Sequence, residues 1–227
     1  MKRKLIFCLS LFMLFSGCAW FESDEEKTAE QLIQEGVADY NDGNYQDAID
    51  SFEQLRDWYP FSKYAILAEL KVADAYFQMD AYSDAIFAYE DFEQLHPRNE
   101  AIPYVIYQIG RCYFNQIDTI DRDQSNAVKA LETYRRLLEQ YPNDAYAAMA
   151  RSDMLSCYQS LSGHEFYVGV FYYKNKNYKA AKERFIAVIE KYPDVGYHYK
   201  ALTYLANCEA WIRSYLKPPE VPSAPSS

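Results

Sequence analysis

Ala48-Ile49-Asp50-Ser51-Phe52-Glu53-Gln54-Leu55-Arg56-Asp57-Trp58-Tyr59-Pro60 is the stretch that decides the fold. An Ala stands twelve residues before the proline and an aromatic eight before it, and the same frame recurs as Ala85, Tyr89 and Pro97, as Ala130, Tyr134 and Pro142, and as Ala181, Phe185 and Pro193. Four copies in one chain describe an antiparallel helix pair: the small residue permits close approach, the aromatic fills the gap and proline stops the second helix. The expected fold is all-α, a solenoid of four helix pairs plus a C-terminal capping helix, with each pair burying its apolar stripe on the next.

Reading outward, Leu32, Gly36 and Tyr40 mark the helix before this stretch, and Asn41-Asp42-Gly43-Asn44 the turn between. The second unit repeats the pattern with Ala73, Tyr76 and Met79-Asp80. In the third, Gly110 lies 20 residues before Ala130, where the first unit has 12 between Gly36 and Ala48. The inserted residues around Asp118 to Gln124 are expected at one edge of the array, where repeat proteins place recognition segments. The fourth unit restores the 12-residue spacing between Gly169 and Ala181. Ahead of it, Ala145 to Lys174 contains no proline and reads as one unusually long helix, with Gly163 as its candidate bend. After Gly196 a last helix carries Leu202, Leu205, Ala206 and Trp211 as a cap.

The N-terminus combines Lys2-Arg3-Lys4, an apolar run from Leu5 to Phe15, and Ser16-Gly17-Cys18. The run is too short to cross a bilayer, which takes roughly 20 apolar residues, and has the layout of a secretory signal ending in a cysteine. The boundaries read as a signal peptide over 1–17, an acylated Cys18 with a polar tether to 28, four repeats over 29–195, a capping helix over 196–217, and a Pro-rich disordered tail over 218–227. Loss of Lys2, Arg3 and Lys4 with the signal takes the formal charge from −10 to −13, which excludes nucleic acid as a partner. Cys112, Cys157 and Cys208 lack redox or zinc spacing and read as small buried hydrophobes.

Nothing in the sequence reads as an active site. His96, His164 and His198 are not at ligand spacing, and the seven glycines form no phosphate-cradling run or nucleophile elbow. Asp118, Asp121 and Asp123 lack the glycine and spacing of a calcium loop. No cofactor and no metal site are expected.

The repeat frame resembles the tetratricopeptide repeat over residues 29 to 195. Tyr59-Pro60-Phe61-Ser62-Lys63-Tyr64, Tyr104-Val105-Ile106-Tyr107 and Asp121-Arg122-Asp123, with the long helix, Arg184 before Tyr192-Pro193, and Cys18, make the chain resemble the BamD family of the outer-membrane β-barrel assembly machine. Ser62 stands where that family often has Gly, and a single helix follows Pro193 where a full fifth pair is the family pattern. The resemblance implies a non-enzymatic lipoprotein on the periplasmic face of the outer membrane, held by acyl chains on Cys18. Its implied partners are a BamA-type β-barrel insertase, other assembly-machine lipoproteins and unfolded outer-membrane protein clients. Arg184 is the implied insertase contact, and Tyr59, Pro60, Phe61 and Tyr64 form an inter-repeat motif.

In that fold the first helices line a concave face. The stripe beside their packing stripe gives Tyr40 and Asn41; Asp74, Phe77 and Gln78; Tyr104, Tyr107, Arg111 and Phe114; and Tyr173 and Lys174. Aromatics with polar tips would grip an extended client by stacking and by hydrogen bonds to its backbone. Two alternatives stand beside this. For any single Tyr here packing is the more common role, since repeat cores use aromatics routinely, and a lipoprotein of this build would also scaffold a different assembly, such as a pilus.

Overall fold

The computed structural model describes residues 26–216. The described residues form nine α-helices: α1 (Ala29–Asp42), α2 (Tyr45–Trp58), α3 (Ala65–Gln78), α4 (Tyr82–Leu95), α5 (Ile102–Asn115), α6 (Ser125–Gln140), α7 (Ala145–Lys174), α8 (Tyr178–Lys191) and α9 (His198–Leu216). Each helix packs chiefly on its neighbours in sequence, which makes the array a solenoid of the tetratricopeptide type. The long α7 also reaches back to α5.

The close approach within each pair has a direct cause. A Cβ on Gly36 would lie 2.5 Å from the Phe52 ring, one on Gly110 2.3 Å from Tyr134, and one on Gly169 2.7 Å from Phe185. Each aromatic from a second helix therefore occupies the space that the glycine of the first leaves open, and all three rings are fully buried. Ala73 takes the glycine's place in the second unit, buried with Tyr89 in one core. The frame alanines Ala48, Ala85, Ala130 and Ala181 are completely buried as well.

Helix ends follow local chemistry. Thr28 and Gln31 form a reciprocal capping box at the start of α1, Asp144 caps α7 and Asn177 caps α8. Gly43 ends α1 in the left-handed region at φ 85°, where a side chain would be strained. The second helices α2, α4 and α6 end two residues before Pro60, Pro97 and Pro142, respectively.

Three features add to or depart from the sequence reading. The residues inserted in the third unit, exposed at 118, 119 and 121–123, are anchored on α7: His164 Nδ1 donates to the Ile120 carbonyl at 2.7 Å, Ser160 Oγ donates to Gln124 Oε1, and Gln124 is buried. Gly163 serves this contact, because a Cβ there would meet Tyr197 Oη at 2.8 Å and Ile120 Cγ2 at 2.9 Å, while α7 continues as one helix. On α9 the packed side chains are Ala201, Cys208 and the half-buried Tyr204 and Leu205; Leu202 and Ala206 face solvent, and Trp211 stacks on Tyr178 with its rings 4° from parallel.

The glycine–aromatic interlock predicts that Gly110→Ala costs about 2 kcal/mol by overpacking, read as a lower urea midpoint with unchanged slope. Gly43→Ala, at a position with nothing within 4 Å, loses stability only through backbone strain, about 1 kcal/mol.

Candidate functional site

Helix α5 divides its aromatic motif between two jobs. Val105 and Ile106 are buried in the central core, whereas Tyr104 and Tyr107 reach sideways to carboxylates on neighbouring first helices. Asp74, on α3, is 5% exposed. Its Oδ1 accepts from Tyr89 Oη at 2.8 Å and Tyr104 Oη at 2.7 Å, and its Oδ2 accepts from Lys71 Nζ at 2.8 Å. Asp153, on α7, repeats the arrangement: Oδ2 accepts from Tyr107 Oη at 3.0 Å and Tyr134 Oη at 3.3 Å. Tyr146 joins the two hubs, its ring 5.3 Å from Tyr104 and 5.6 Å from Tyr107.

Burial, reinforced by the nearby aspartates, raises the hydroxyl pKa of Tyr89, Tyr104 and Tyr134 well above the ordinary tyrosine value. All three stay protonated and act as donors to the carboxylates. The network is therefore a set of fixed hydrogen bonds.

Around these hubs the stripe divides into foundation and surface. Asp74 and Tyr107, the latter 4% exposed, are structural, and neither offers a free face to a ligand; the hydrogen-bonding demand of a buried carboxylate draws the phenols inward. Tyr40, Phe77, Tyr104, Arg111 and Phe114 are half-buried, and Asn41 and Gln78 exposed. Gln78 Nε2 donates to Tyr40 Oη at 3.3 Å, and Lys71 Nζ lies 4.9 Å from the centre of the Tyr40 ring. Arg111 Nη1 donates to Tyr107 Oη at 3.4 Å and the guanidinium lies 5.9 Å from the Phe114 ring centre, but its Nε is buried with no partner among the described residues. Burial opposes that charge, while Tyr107 and Asp153 favour it, and the net shift is upward. These residues make a continuous strip from α1 to α7. Tyr173 and Lys174 do not belong to it: Tyr173 packs edge-on against Tyr178 and Tyr204 at the other end.

Three members of the network, Asp153, Tyr146 and Lys71, were not anticipated from sequence. The signal for Asp153 was present: it falls on the buried Ala147, Ala150 and Cys157 stripe of α7, where an acid needs a partner.

In the inter-repeat motif, Tyr59 Oη donates to the Lys27 carbonyl at 2.9 Å, tying the first repeat's turn to the start of α1. Tyr64 is half-buried beneath Lys63, Pro60 is exposed and Phe61 fully so. Arg184 is held by Glu165 of α7 through Nη1, 2.9 Å from Oε2 and 3.2 Å from Oε1. Cys18 lies outside the described residues. Cys112, Cys157 and Cys208 are buried free thiols; burial pushes the first two up to about 12 and raises the third. Among the described residues no group of three or more His, Cys, Asp or Glu is placed to hold a metal, and no helix is long and apolar enough to cross a membrane.

The paired helices define a solenoid of the tetratricopeptide type. Residues 25–213 match the YfiO family model, described as outer membrane lipoprotein, and the chain belongs to that family. It is 33% identical over 188 residues to the outer membrane protein assembly factor BamD of Caulobacter vibrioides, an alignment covering 83% of this chain and 61% of that one. The BamD proteins of Neisseria gonorrhoeae and Xylella fastidiosa (strain 9a5c) are 29% and 27% identical, covering 89% and 88% of this chain and 82% and 73% of theirs. Among solved structures, the TPR2AB-domain:pHSP90-complex of yeast Sti1 overlaps with a TM-score of 0.47 at 16% identity, over 83% of this chain and 72% of that one.

Asp74→Ala strands the buried Tyr89 hydroxyl and is expected to cost about 3 kcal/mol in urea unfolding. Because the folded-state tyrosine pKa values lie above the unfolded value of 10.0, their contribution is fully present below pH 10.0 and is lost as pH rises above it. Tyr89→Phe should flatten that alkaline loss, measured as unfolding free energy from pH 9 to about 11.

Proposed function

We propose that this protein is a non-enzymatic assembly factor of the outer membrane, a periplasmic scaffold that receives unfolded outer-membrane proteins and presents them to a BamA-type β-barrel insertase. Membership of the YfiO family and the assembly-factor names of its relatives support the role. The observation that carries the client site is Arg111: a half-buried guanidinium with an unpartnered Nε, beside Phe114 and above a fixed tyrosine network. An extended peptide would hydrogen-bond to Arg111, Gln78 and Asn41, and stack on Tyr40, Phe77, Tyr104 and Phe114. Asp74 and Tyr107 hold that surface in shape.

Residues 1–17 would act as a lipoprotein signal, and acyl chains on Cys18 would hold the scaffold on the periplasmic face, with 29–195 as the repeats and a cap from 196; the signal, Cys18 and the stretch 218–227 lie outside the described residues. Arg184 is the proposed insertase contact. Since Glu165 already holds it, docking would exchange or share that carboxylate with one from the insertase, keeping the charge paired.

The test is cross-linking and mass spectrometry of envelope proteins co-purified with the tagged full chain. Links from α7 and α8 to the periplasmic domains of a barrel insertase are expected; recovery of a pilus subunit in their place overturns the role. Arg111→Gln should weaken binding of a fluorescent aromatic-rich strand peptide from an outer-membrane protein by about tenfold, or 1.4 kcal/mol, with no change in thermal stability. Arg184→Glu sets two carboxylates together and should abolish the insertase links; if they persist, this docking contact is wrong.

A further inference from the structure

Two surface hollows occupy equivalent places between successive second helices. One lies between α2 and α4 over Val72 and Tyr76 of α3, with a volume of about 280 Å³; the other lies between α4 and α6 over Ile109 and Tyr113 of α5. The second is bridged: Arg136 of α6 pairs with Glu93 of α4 through both nitrogens of its fork. Glu93 stands eight residues after the frame alanine Ala85, and Arg136 six after Ala130.

The same two positions bound the first hollow with the charges reversed, as Arg56, eight after Ala48, and Asp91, six after Ala85. The bridge does not form there. Arg56 is engaged on its own helix by Asp57 at 3.1 Å and Glu53 at 3.8 Å, and among the described residues no cation lies within ion-pair reach of Asp91 or of Asp84 two helical turns earlier. The hollow is thus acidic and open. Tyr76 in its floor registers that field: its hydroxyl pKa is raised by burial, then by Glu53 and Asp84. Along the same edge α4 leaves Phe87 72% and Leu95 59% exposed, one helical turn to either side of Asp91.

An aromatic and an aliphatic side chain flanking uncompensated carboxylates is an arrangement suited to a segment that brings its own cation and its own apolar surface. We propose that the hollow between α2 and α4 is a docking site for a segment of another protein carrying Lys or Arg beside a bulky apolar residue. The cation meets Asp84 and Asp91, and the apolar residue packs on Phe87. This surface is built from the second helices and is separate from the strip proposed for clients, so it would be free while a client is held.

Self-association does not supply such a segment readily, because the chain carries a formal charge of −10 and like-charged surfaces repel at close range.

The probe is the fluorescein-labelled, amidated hexapeptide Lys-Leu-Lys-Phe-Lys-Leu, with its Glu-for-Lys counterpart as control, titrated by anisotropy against the full chain in neutral detergent micelles. The cationic probe should bind saturably and the acidic one not. Phe87→Ser and the pair Asp84→Asn with Asp91→Asn should each weaken it at least about tenfold, and raised salt should do the same, as exposed charge contacts are screened. These side chains are exposed, so far-ultraviolet melting curves should not move. Equal binding of both probes, or variants that bind like the parent, overturns the proposal. In cells, a photo-cross-linking phenylalanine analogue at position 87 should join a peptide of another envelope protein that contains Lys or Arg next to an apolar residue. Cross-links to a second copy of this chain, or to lipid alone, overturn it.

Discussion

Everything in this array depends on a ring seated where a side chain is missing. Phe52, Tyr134 and Phe185 each lie against the bare Cα of a glycine on the partner helix, at distances no Cβ tolerates. Dispersion and exclusion of water act together there, and the backbone-to-ring approach fixes the angle and separation of the pair more tightly than a Leu-to-Leu contact would. Because each pair is only two helices thick, an error in one interlock passes into the stacking of the next repeat.

The second level of order is polar. Tyr89 and Tyr134 are interlock aromatics whose hydroxyls extend beyond the apolar core, and each finds a carboxylate on a neighbouring first helix. Phe52 and Phe185, at the same frame positions in the first and fourth units, carry no hydroxyl and no such hub. The polar network is accordingly confined to the middle of the array, where Tyr104 and Tyr107 complete it from α5. A buried carboxylate with several donors specifies geometry more than it adds stability, since its desolvation offsets most of the hydrogen-bond gain. The half-buried aromatics and Arg111 are set on that rigid base.

How much of this was legible in the sequence follows from the length scale of each signal. The helix pairs were legible because the Ala, aromatic and Pro spacing is local and repeats four times, and the long helix because thirty residues from Ala145 to Lys174 lack proline. The stripe of first-helix residues placed Tyr40, Gln78, Tyr104 and Arg111 on one strip but could not separate foundation from surface. Whether Asp74 faces a groove or a phenol depends on Tyr89, fifteen residues away, and on Tyr104, thirty away. The anchoring of the inserted residues in the third unit was not legible for a related reason. Their anchor, His164, lies forty-four residues from Ile120, and no periodicity connects the two.

The length of α7 has its own consequence. Its stretch up to Leu161 contributes Ala147, Ala150, Cys157 and Leu161 to the central core, and the stretch beyond packs Phe166 and Val170 into the C-terminal one. A single rod of roughly 45 Å therefore belongs to two cores at once. Substitutions along it disturb one core or the other, but a one-residue insertion near its middle would rotate everything beyond by about 100° and turn Gly169 away from Phe185. In this protein the number of residues between Ala150 and Gly169 is itself a structural parameter, because it sets the phase of one core against the other.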